Sequence, residues 1–190
     1  MPLNDNRRMI LQLRKMLAEP PLNAPLPENV SIRSYAREQD ARAWLDLRSL
    51  AFSKQKRGVQ SWDQADFDRE FLQKPWWTPE RMWLAELPPL ECSSEPVANP
   101  LGLLRPVAGQ RQLIGTVTLA ERVLPNETRY VLHWLLVAPR WRGQGIATAL
   151  TARLEAAVWE LGGRAVYLET HAAWTEAAGL YHKLGYEEVR

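Results

Sequence analysis

Residues 135–150 read LLVAPRWRGQGIATAL, an apolar run that passes through a glycine-containing turn into a segment with helical periodicity. Gly143 and Gly145 permit a tight turn and let a phosphate come close to the backbone. A helix that begins here offers its unpaired N–H groups and positive end to an anion, and Arg140 and Arg142 add positive charge. The stretch predicts a strand, a phosphate-binding turn and a helix, although glycine pairs also serve as plain loop residues.

The segments around this turn alternate between strand and helix patterns. Residues 112–123 and 129–137 are rich in strand formers and are separated by Pro125 and Asn126, which favours an antiparallel hairpin. The other predicted elements are a strand near Val30, two helices, a strand at 81–86, the helix after the turn, a strand at 164–170, a helix at 175–184 and a strand from Tyr186. This order predicts an α/β domain with a mixed sheet over residues 29–190.

Two segments stand outside this alternation. Residues 1–28 are predicted to form an N-terminal arm, in which residues 9–19 carry apolar side chains at helical spacing and four following prolines force an extended path. Residues 87–111 contain five prolines and show no useful period. They are predicted to form a long loop excursion between two strands.

Composition narrows the class of protein. The 190 residues fit one domain, and 46% hydrophobic residues suffice for a core. There is no apolar run of about 20 residues and no apolar signal core near the start, which predicts a soluble, cytoplasmic protein without a membrane partner. The single cysteine, Cys92, excludes an intramolecular disulfide, and a formal charge of +2 argues against a nucleic-acid partner.

Two motifs together resemble the GNAT superfamily of acetyl-CoA-dependent N-acetyltransferases. The first is L-x-V-x-P-x-W-R-G-Q-G-I-A, from Leu135, and the second is E-A-A-G-L-Y-H-K-L-G-Y, ending at Tyr186. The predicted order of elements is similar to that of the superfamily over roughly residues 30–189. The resemblance implies a mostly antiparallel central sheet flanked by helices, with parallel strands that splay at the cofactor site. It also implies transfer of an acetyl group from acetyl-CoA to an amine, without a metal.

The resemblance also implies roles for single residues. The backbone of Leu135 and Val137 would pair with the pantetheine arm of acetyl-CoA, and Tyr181 would protonate the leaving thiolate. The residues expected at the pyrophosphate are Arg140, Arg142, Gly143, Gln144, Gly145 and Ile146.

The amine must lose a proton, and His133 is the first candidate for the base. On a regular strand His133 shares a face with Leu135 and Val137. The alternative, a histidine with only a local hydrogen bond, stays open. The weaker candidates for the base are Glu121, Glu169 and His171.

Two departures from the superfamily pattern affect the expectations. Trp174 stands where many members carry an asparagine, so a polar contact near the cofactor is expected to be replaced by stacking or lost. The chain also lacks a further strand after the one at Tyr186. We expect the open sheet edge to be covered by a homodimer or by the arm.

The acceptor is expected to be a small-molecule amine, with a protein N-terminus or lysine as second choice. Four of the nine tryptophans are candidates for the walls of an acceptor pocket that favours an apolar or cationic amine: Trp62, Trp76, Trp77 and Trp134. A non-catalytic acyl-CoA-binding or sensory domain is the competing hypothesis. Such a domain needs the phosphate turn but neither Tyr181 nor a base.

Overall fold

The computed structural model describes residues 10–36, 38–52, 60–89 and 111–189. The strands are β1 (Ile10–Met16), β2 (Ser31–Ser34), β3 (Met82–Leu87), β4 (Gln112–Leu124), β5 (Glu127–Val137), β6 (Ala165–His171) and β7 (Glu187–Glu188). The helices are α1 (Glu38–Phe52), α2 (Gln64–Phe67, continued by a π-helix over Asp68–Leu72), α3 (Ile146–Glu160) and α4 (Thr175–Lys183).

Within these ranges the seven strands form one sheet in the order β2-β3-β4-β5-β6-β1-β7. Only β5 and β6 run parallel among the described pairs; the other neighbours are antiparallel. Leu150 and Leu154 of α3 are fully buried on one face of the sheet, and α1 packs on the other face. The predicted α/β fold with a mixed, mostly antiparallel sheet is confirmed.

The helical spacing of residues 9–19 is misleading, because Ile10–Met16 is a strand. Leu13 is fully buried and its neighbours Gln12 and Arg14 are exposed, which is the alternation of a half-buried strand. The apolar residues of this segment fit both the helical period and the two-residue period of a strand. The strand forms because the segment pairs with β6, from Ile10↔His171 to Met16↔Ala165. This part of the predicted arm therefore lies inside the sheet, between β6 and β7.

The two parallel strands separate after a short contact. β5 and β6 pair only at Tyr130↔Val166 and Val131↔Tyr167 among the described residues. Beyond Val131 each strand continues for several residues without pairing to the other. The predicted splay of the parallel strands is thus confirmed, and it opens a gap in the middle of the sheet.

A bulge in β5 lies at the start of this gap. Thr118 pairs with His133 and Thr116 pairs with Leu136, so β5 has two residues opposite the single Val117. Trp134 adopts a positive φ of 52°, which is rare for a large side chain. The bulge shifts the alternation of side chains along the rest of β5.

The described residues contain no helix that is long and apolar enough to cross a membrane. They also contain no group of three or more His, Cys, Asp or Glu side chains placed to hold a metal ion. Cys92 and nearly all of the predicted 87–111 excursion lie outside the described residues.

Candidate active site

A cleft of about 1320 Å³ occupies the gap between β5 and β6 and reaches both faces of the sheet. It brings together eight of the ten residues that the sequence predicted for the site: His133, Leu135, Val137, Arg142, Gly143, Gly145, Ile146 and Tyr181. Arg140 and Gln144 are exposed and are not part of the lining.

The glycine turn is built to receive an anion. Gly143 and Gly145 have φ values of 77° and 84°, which favour glycine, and no described atom lies within 4 Å of a Cβ added at Gly143. α3 begins directly after the turn, and Ala149 donates the first helical hydrogen bond, to the carbonyl of Gly145. The preceding amides of the first turn have no intrahelical acceptor. The turn therefore offers open space and backbone donors at a helix N-terminus, which suits a phosphate.

Two backbone carbonyls hold the Arg142 side chain, and its Nη1 lies 4.0 Å from Glu176 Oε2. Its Nε donates to the carbonyl of Val137 at 3.2 Å, and its Nη2 donates to the carbonyl of Ala51 at 3.0 Å. Arg142 thereby fixes the turn to the end of β5 and to α1. The Gln144 side chain also bonds locally, to the carbonyl of Arg140 at 3.2 Å.

The prediction that His133 shares a face with Leu135 and Val137 is wrong. Leu135 and Val137 pack in the core beneath α3, whereas the His133 ring lies beside Phe71 and Trp76 on the opposite face. The physical reason is the β5 bulge, because an extra residue reverses the alternation. His133 still lines the cleft, since the gap opens to both faces.

Glu70 is a site residue that the sequence did not reveal. Its Oε1 lies 2.8 Å from His133 Nε2 and accepts a hydrogen bond of 3.0 Å from Trp134 Nε1. The bond to His133 lowers the pKa of Glu70, desolvation raises it, and the bond from Trp134 lowers it further, so the net shift is downward. Nothing in the local pattern distinguishes Glu70 from other acidic residues of its helix, because its partners are 63 and 64 residues away.

With Glu70 ionised, Nε2 of His133 is the nitrogen that carries the hydrogen in this bond. Nδ1 is then the ring nitrogen that can accept a proton when the imidazole is neutral. The contact thus assigns a tautomer to His133 and restrains its ring. The same carboxylate holds the indole of Trp134, the residue with the unusual backbone conformation.

Tyr181 lies on α4 and is 8% exposed. Burial raises the pKa of its phenol to about 12, so the hydroxyl is protonated at neutral pH. The ring packs edge-on against Tyr186 with centroids 5.8 Å apart. Tyr186 donates to buried Glu155 at 3.0 Å, and Lys15 of β1 pairs with the same carboxylate at 2.8 Å.

The weaker candidates for the base have other contacts. Glu121 forms an ion pair with Arg81 at 2.7 Å, and Nδ1 of His171 accepts from the Ala173 amide at 3.1 Å. Glu169 does line the cleft. Trp174 also lines the cleft and packs against the Phe52 ring, with centroids 5.8 Å apart.

Three of the four tryptophans predicted for an acceptor pocket are absent from the cleft lining: Trp62, Trp76 and Trp77. They are half-buried and pack instead against the hydrophobic cluster on the α1 face of the sheet, which contains Trp44 and Phe71. Only Trp134 of the four borders the cleft. The aromatic residues at these positions therefore serve mainly to attach α1 and α2 to the sheet.

Comparison with known proteins places this geometry in a family. The model described as the acetyltransferase (GNAT) family matches residues 41–186. The mycothiol acetyltransferase of Pseudarthrobacter chlorophenolicus is 31% identical over 180 residues, covering 94% of this chain and 49% of that protein. The mycothiol acetyltransferase of Salinispora tropica is 29% identical over 181 residues, with coverage of 94% and 52%. The chain thus spans about half the length of these curated relatives.

Solved structures show the same fold. A GCN5-related N-acetyltransferase from Sphaerobacter thermophilus superposes with a TM-score of 0.64 at 21% identity, covering 95% of this chain and 48% of that chain. A GNAT-family acetyltransferase from Staphylococcus aureus gives a TM-score of 0.57 at 17% identity, with coverage of 85% and 86%.

Proposed function

Because this chain belongs to the acetyltransferase (GNAT) family, we propose that its cleft transfers an acetyl group from acetyl-CoA to a small-molecule primary amine. The observation that carries the proposal is the junction of three features in one cleft. These are the open glycine turn at the N-terminus of α3, the gap between β5 and β6, and the buried phenol of Tyr181. Similarity to curated mycothiol acetyltransferases supports a small-molecule acceptor.

In this proposal the turn and the strand end hold the acyl donor. Amides from residues 142–146 bind the pyrophosphate, and the edge of β5 at Leu135 and Val137, which does not pair with β6, binds the pantetheine arm. Arg142 acts by bracing the turn rather than by touching the phosphates. Arg140 and Gln144 then contribute charge and backbone amides from the exposed rim.

The chemical step needs two proton transfers. The neutral amine attacks the acetyl carbonyl carbon, a C–N bond forms, and the C–S bond breaks as the tetrahedral intermediate collapses. His133 takes the amine proton at Nδ1, with Glu70 holding the ring and stabilising the resulting imidazolium. Tyr181 gives its proton to the departing thiolate, and exchange with solvent restores both groups. The products are the N-acetyl amine and free coenzyme A.

The proposal is tested by measuring binding and turnover on the same protein. Acetyl-CoA is titrated by calorimetry, and a panel of primary amines is then assayed for release of free thiol. Saturable binding with amine-dependent thiol release supports the transferase. Binding without release from any amine favours the non-catalytic acyl-CoA-binding alternative, and absence of binding contradicts both.

Substituting Gly145 by alanine is expected to weaken acetyl-CoA binding. A residue with a Cβ costs roughly 1–2 kcal/mol in the left-handed backbone conformation that Gly145 adopts. If the bound state requires this conformation, the Kd of acetyl-CoA rises by about tenfold. Gly162→Ala is a matched control, because Gly162 has a φ of 83° at the far end of α3. Both variants should lose similar thermal stability, and calorimetry should show weaker binding for Gly145→Ala alone. Equal Kd values for the two variants would contradict the role of the turn.

Glu70→Gln is expected to lower kcat by roughly tenfold to a hundredfold, since the variant no longer stabilises the protonated base. The carboxamide of the variant can also donate to the ring, so the contact no longer fixes which nitrogen of His133 is free to accept the amine proton. The measurement is kcat at saturating substrates, with calorimetric binding of acetyl-CoA as the control. A kcat equal to that of wild type would show that Glu70 has no influence on the base.

The lowered pKa of Glu70 also predicts a stability difference. Folding lowers the pKa of Glu70 from its ordinary value of 4.5. The ionised carboxylate therefore stabilises the folded protein at pH values above 4.5, and this stabilisation is lost as the pH falls through the lower pKa of the folded state. The free energy of unfolding of wild type should therefore exceed that of Glu70→Gln most near neutral pH. The two values should converge at pH values below the pKa of Glu70 in the folded protein. Urea titrations over this pH range measure the difference.

A further inference from the structure

Two aromatic rings from different helices meet at the cleft. Phe52 is the last residue of α1 and Trp174 directly precedes α4, and both side chains line the cleft. Their ring centroids are 5.8 Å apart, and the ring planes are inclined by 43°. This pair of Phe52 and Trp174 is called the aromatic bridge.

Each ring of the aromatic bridge is supported from one side of the gap between β5 and β6. The centroid of the Phe52 ring lies 6.5 Å from that of Trp134 in β5 and 5.6 Å from the Arg48 guanidinium of α1. The centroid of the Trp174 ring lies 6.0 Å from that of His171, the last residue of β6. Since β5 and β6 are the two strands that separate, the aromatic bridge spans the gap from one strand to the other.

The aromatic bridge also lies beside the glycine turn. Arg142 of the turn donates to the carbonyl of Ala51, the residue before Phe52, at 3.0 Å. The same guanidinium lies 4.0 Å from the carboxylate of Glu176, which belongs to the first turn of α4 just after Trp174. The end of α1 and the start of α4 therefore meet at the side of the cleft where the turn lies.

The donor of the proposed reaction has to pass this place. Its pyrophosphate is assigned to the glycine turn and its thioester to the surroundings of Tyr181. Tyr181 follows Trp174 by seven residues along α4, a distance of about 10 Å in a helix. The pantetheine arm thus runs past Trp174 on its way from the turn to Tyr181, through the gap that the aromatic bridge spans.

Separating the two rings has a free-energy cost. Opening the aromatic bridge exposes apolar ring surface to water and gives up the contact between the rings. Because the rings contact each other, this cost applies equally to a donor that enters the gap and to one that leaves it. Loss of the contact should therefore accelerate passage in both directions and change the affinity little.

We propose that the aromatic bridge is a gate on the path of the donor: acetyl-CoA enters the gap and coenzyme A leaves it only while the rings of Phe52 and Trp174 are apart. The inference rests on the proposed acetyl transfer. It gives both rings a role in the exchange of the donor and none in the chemical step. Opening steps of this kind limit turnover in many enzymes.

The test measures how fast the donor site exchanges its occupant. The probe is etheno-coenzyme A, a fluorescent adenine derivative of coenzyme A whose anisotropy rises on binding. Stopped-flow mixing gives kon, and displacement by excess coenzyme A gives koff. The variants are Phe52→Ala, Trp174→Ala and the double variant. Trp159→Ala is the matched control, because Trp159 is half-buried on α3 and outside the cleft lining. Thermal denaturation verifies that each variant is folded.

Each single substitution is expected to raise both kon and koff by about tenfold, equivalent to about 1.4 kcal/mol in the barrier, while Kd changes by less than about threefold. Trp159→Ala should leave both rates unchanged. Since either substitution removes the same contact, the double variant should exchange the probe no faster than the single variants.

A rise in koff alone, with a matching loss of affinity, would show that the rings merely contact the bound donor, and it would overturn the gate. Unchanged rates overturn it too, as does a double variant about a hundredfold faster than wild type, the result for two independent contacts. In these cases the donor still binds and acetyl transfer stands. Failure of the wild type to bind the probe contradicts the proposed function itself, and the gate with it.

Discussion

Tyr181→Phe is expected to lower kcat by about 10²–10⁴, the usual contribution of a positioned general acid, while the Kd of acetyl-CoA stays the same. Burial keeps the phenol protonated, with a pKa of about 12, so its proton is present when the thiolate leaves. Phenylalanine fills nearly the same volume in the wall of the cleft and removes only the hydroxyl. The measurement is steady-state thiol release together with calorimetric binding of acetyl-CoA.

Tyr186→Phe provides a matched control for this experiment. Tyr186 is also buried, at 1% exposed, and its ring packs against the Tyr181 ring, but it is not in the cleft lining and its hydroxyl donates to Glu155. Its loss should reduce stability by about 1–3 kcal/mol, since the Glu155 carboxylate loses a buried donor, with little change in kcat. Similar kcat values for Tyr181→Phe and wild type would exclude an acid role for Tyr181.

Leu13→Ala in β1 is expected to lower the free energy of unfolding by about 2–5 kcal/mol. Leu13 is fully buried in the core cluster that also contains α3 residues, and the truncation leaves a cavity in that core next to β1. This loss is a large part of the roughly 5–15 kcal/mol that stabilises a typical domain. Urea unfolding monitored by tryptophan fluorescence measures the change.

The control for Leu13 lies on the same strand. Met16 is 59% exposed, so Met16→Ala should change the free energy of unfolding by no more than about 0.5 kcal/mol. If Leu13→Ala and Met16→Ala lowered the free energy of unfolding equally little, β1 would not contribute to the hydrophobic core.

A homodimer that covers the remaining sheet edge stays a prediction, and sedimentation measures the oligomeric state.

The features that sequence predicted well are local. The glycine turn, the hairpin at Pro125 and the amphipathic α3 depend on residues that are close in the chain, and each gives a clear pattern. β1 was misjudged because its apolar residues fit two periods and only pairing with β6 selects one. The choice between helix and strand was thus made by a contact between distant segments.

The parts of the site that were missed also depend on distant contacts. The bulge at Trp134 leaves no clear mark in the sequence, yet it moves His133 to the other face of the sheet. Glu70 meets His133 only because α2 and its π-helical continuation pack across β5. Three of the four tryptophans expected in a pocket wall instead pack, half-buried, against the cluster around Trp44 and Phe71.

The position of β1 has a consequence for how the protein is made. Its partners in β6 lie about 150–160 residues later in the chain, and at 5–20 residues per second this is a delay of roughly 8–30 s during synthesis. Until then Leu13 has no core to enter, and once β6 emerges its edge is unpaired until β1 docks. Such a late, long-range closure slows folding. The central sheet is therefore expected to close only after residue 171 has been synthesised.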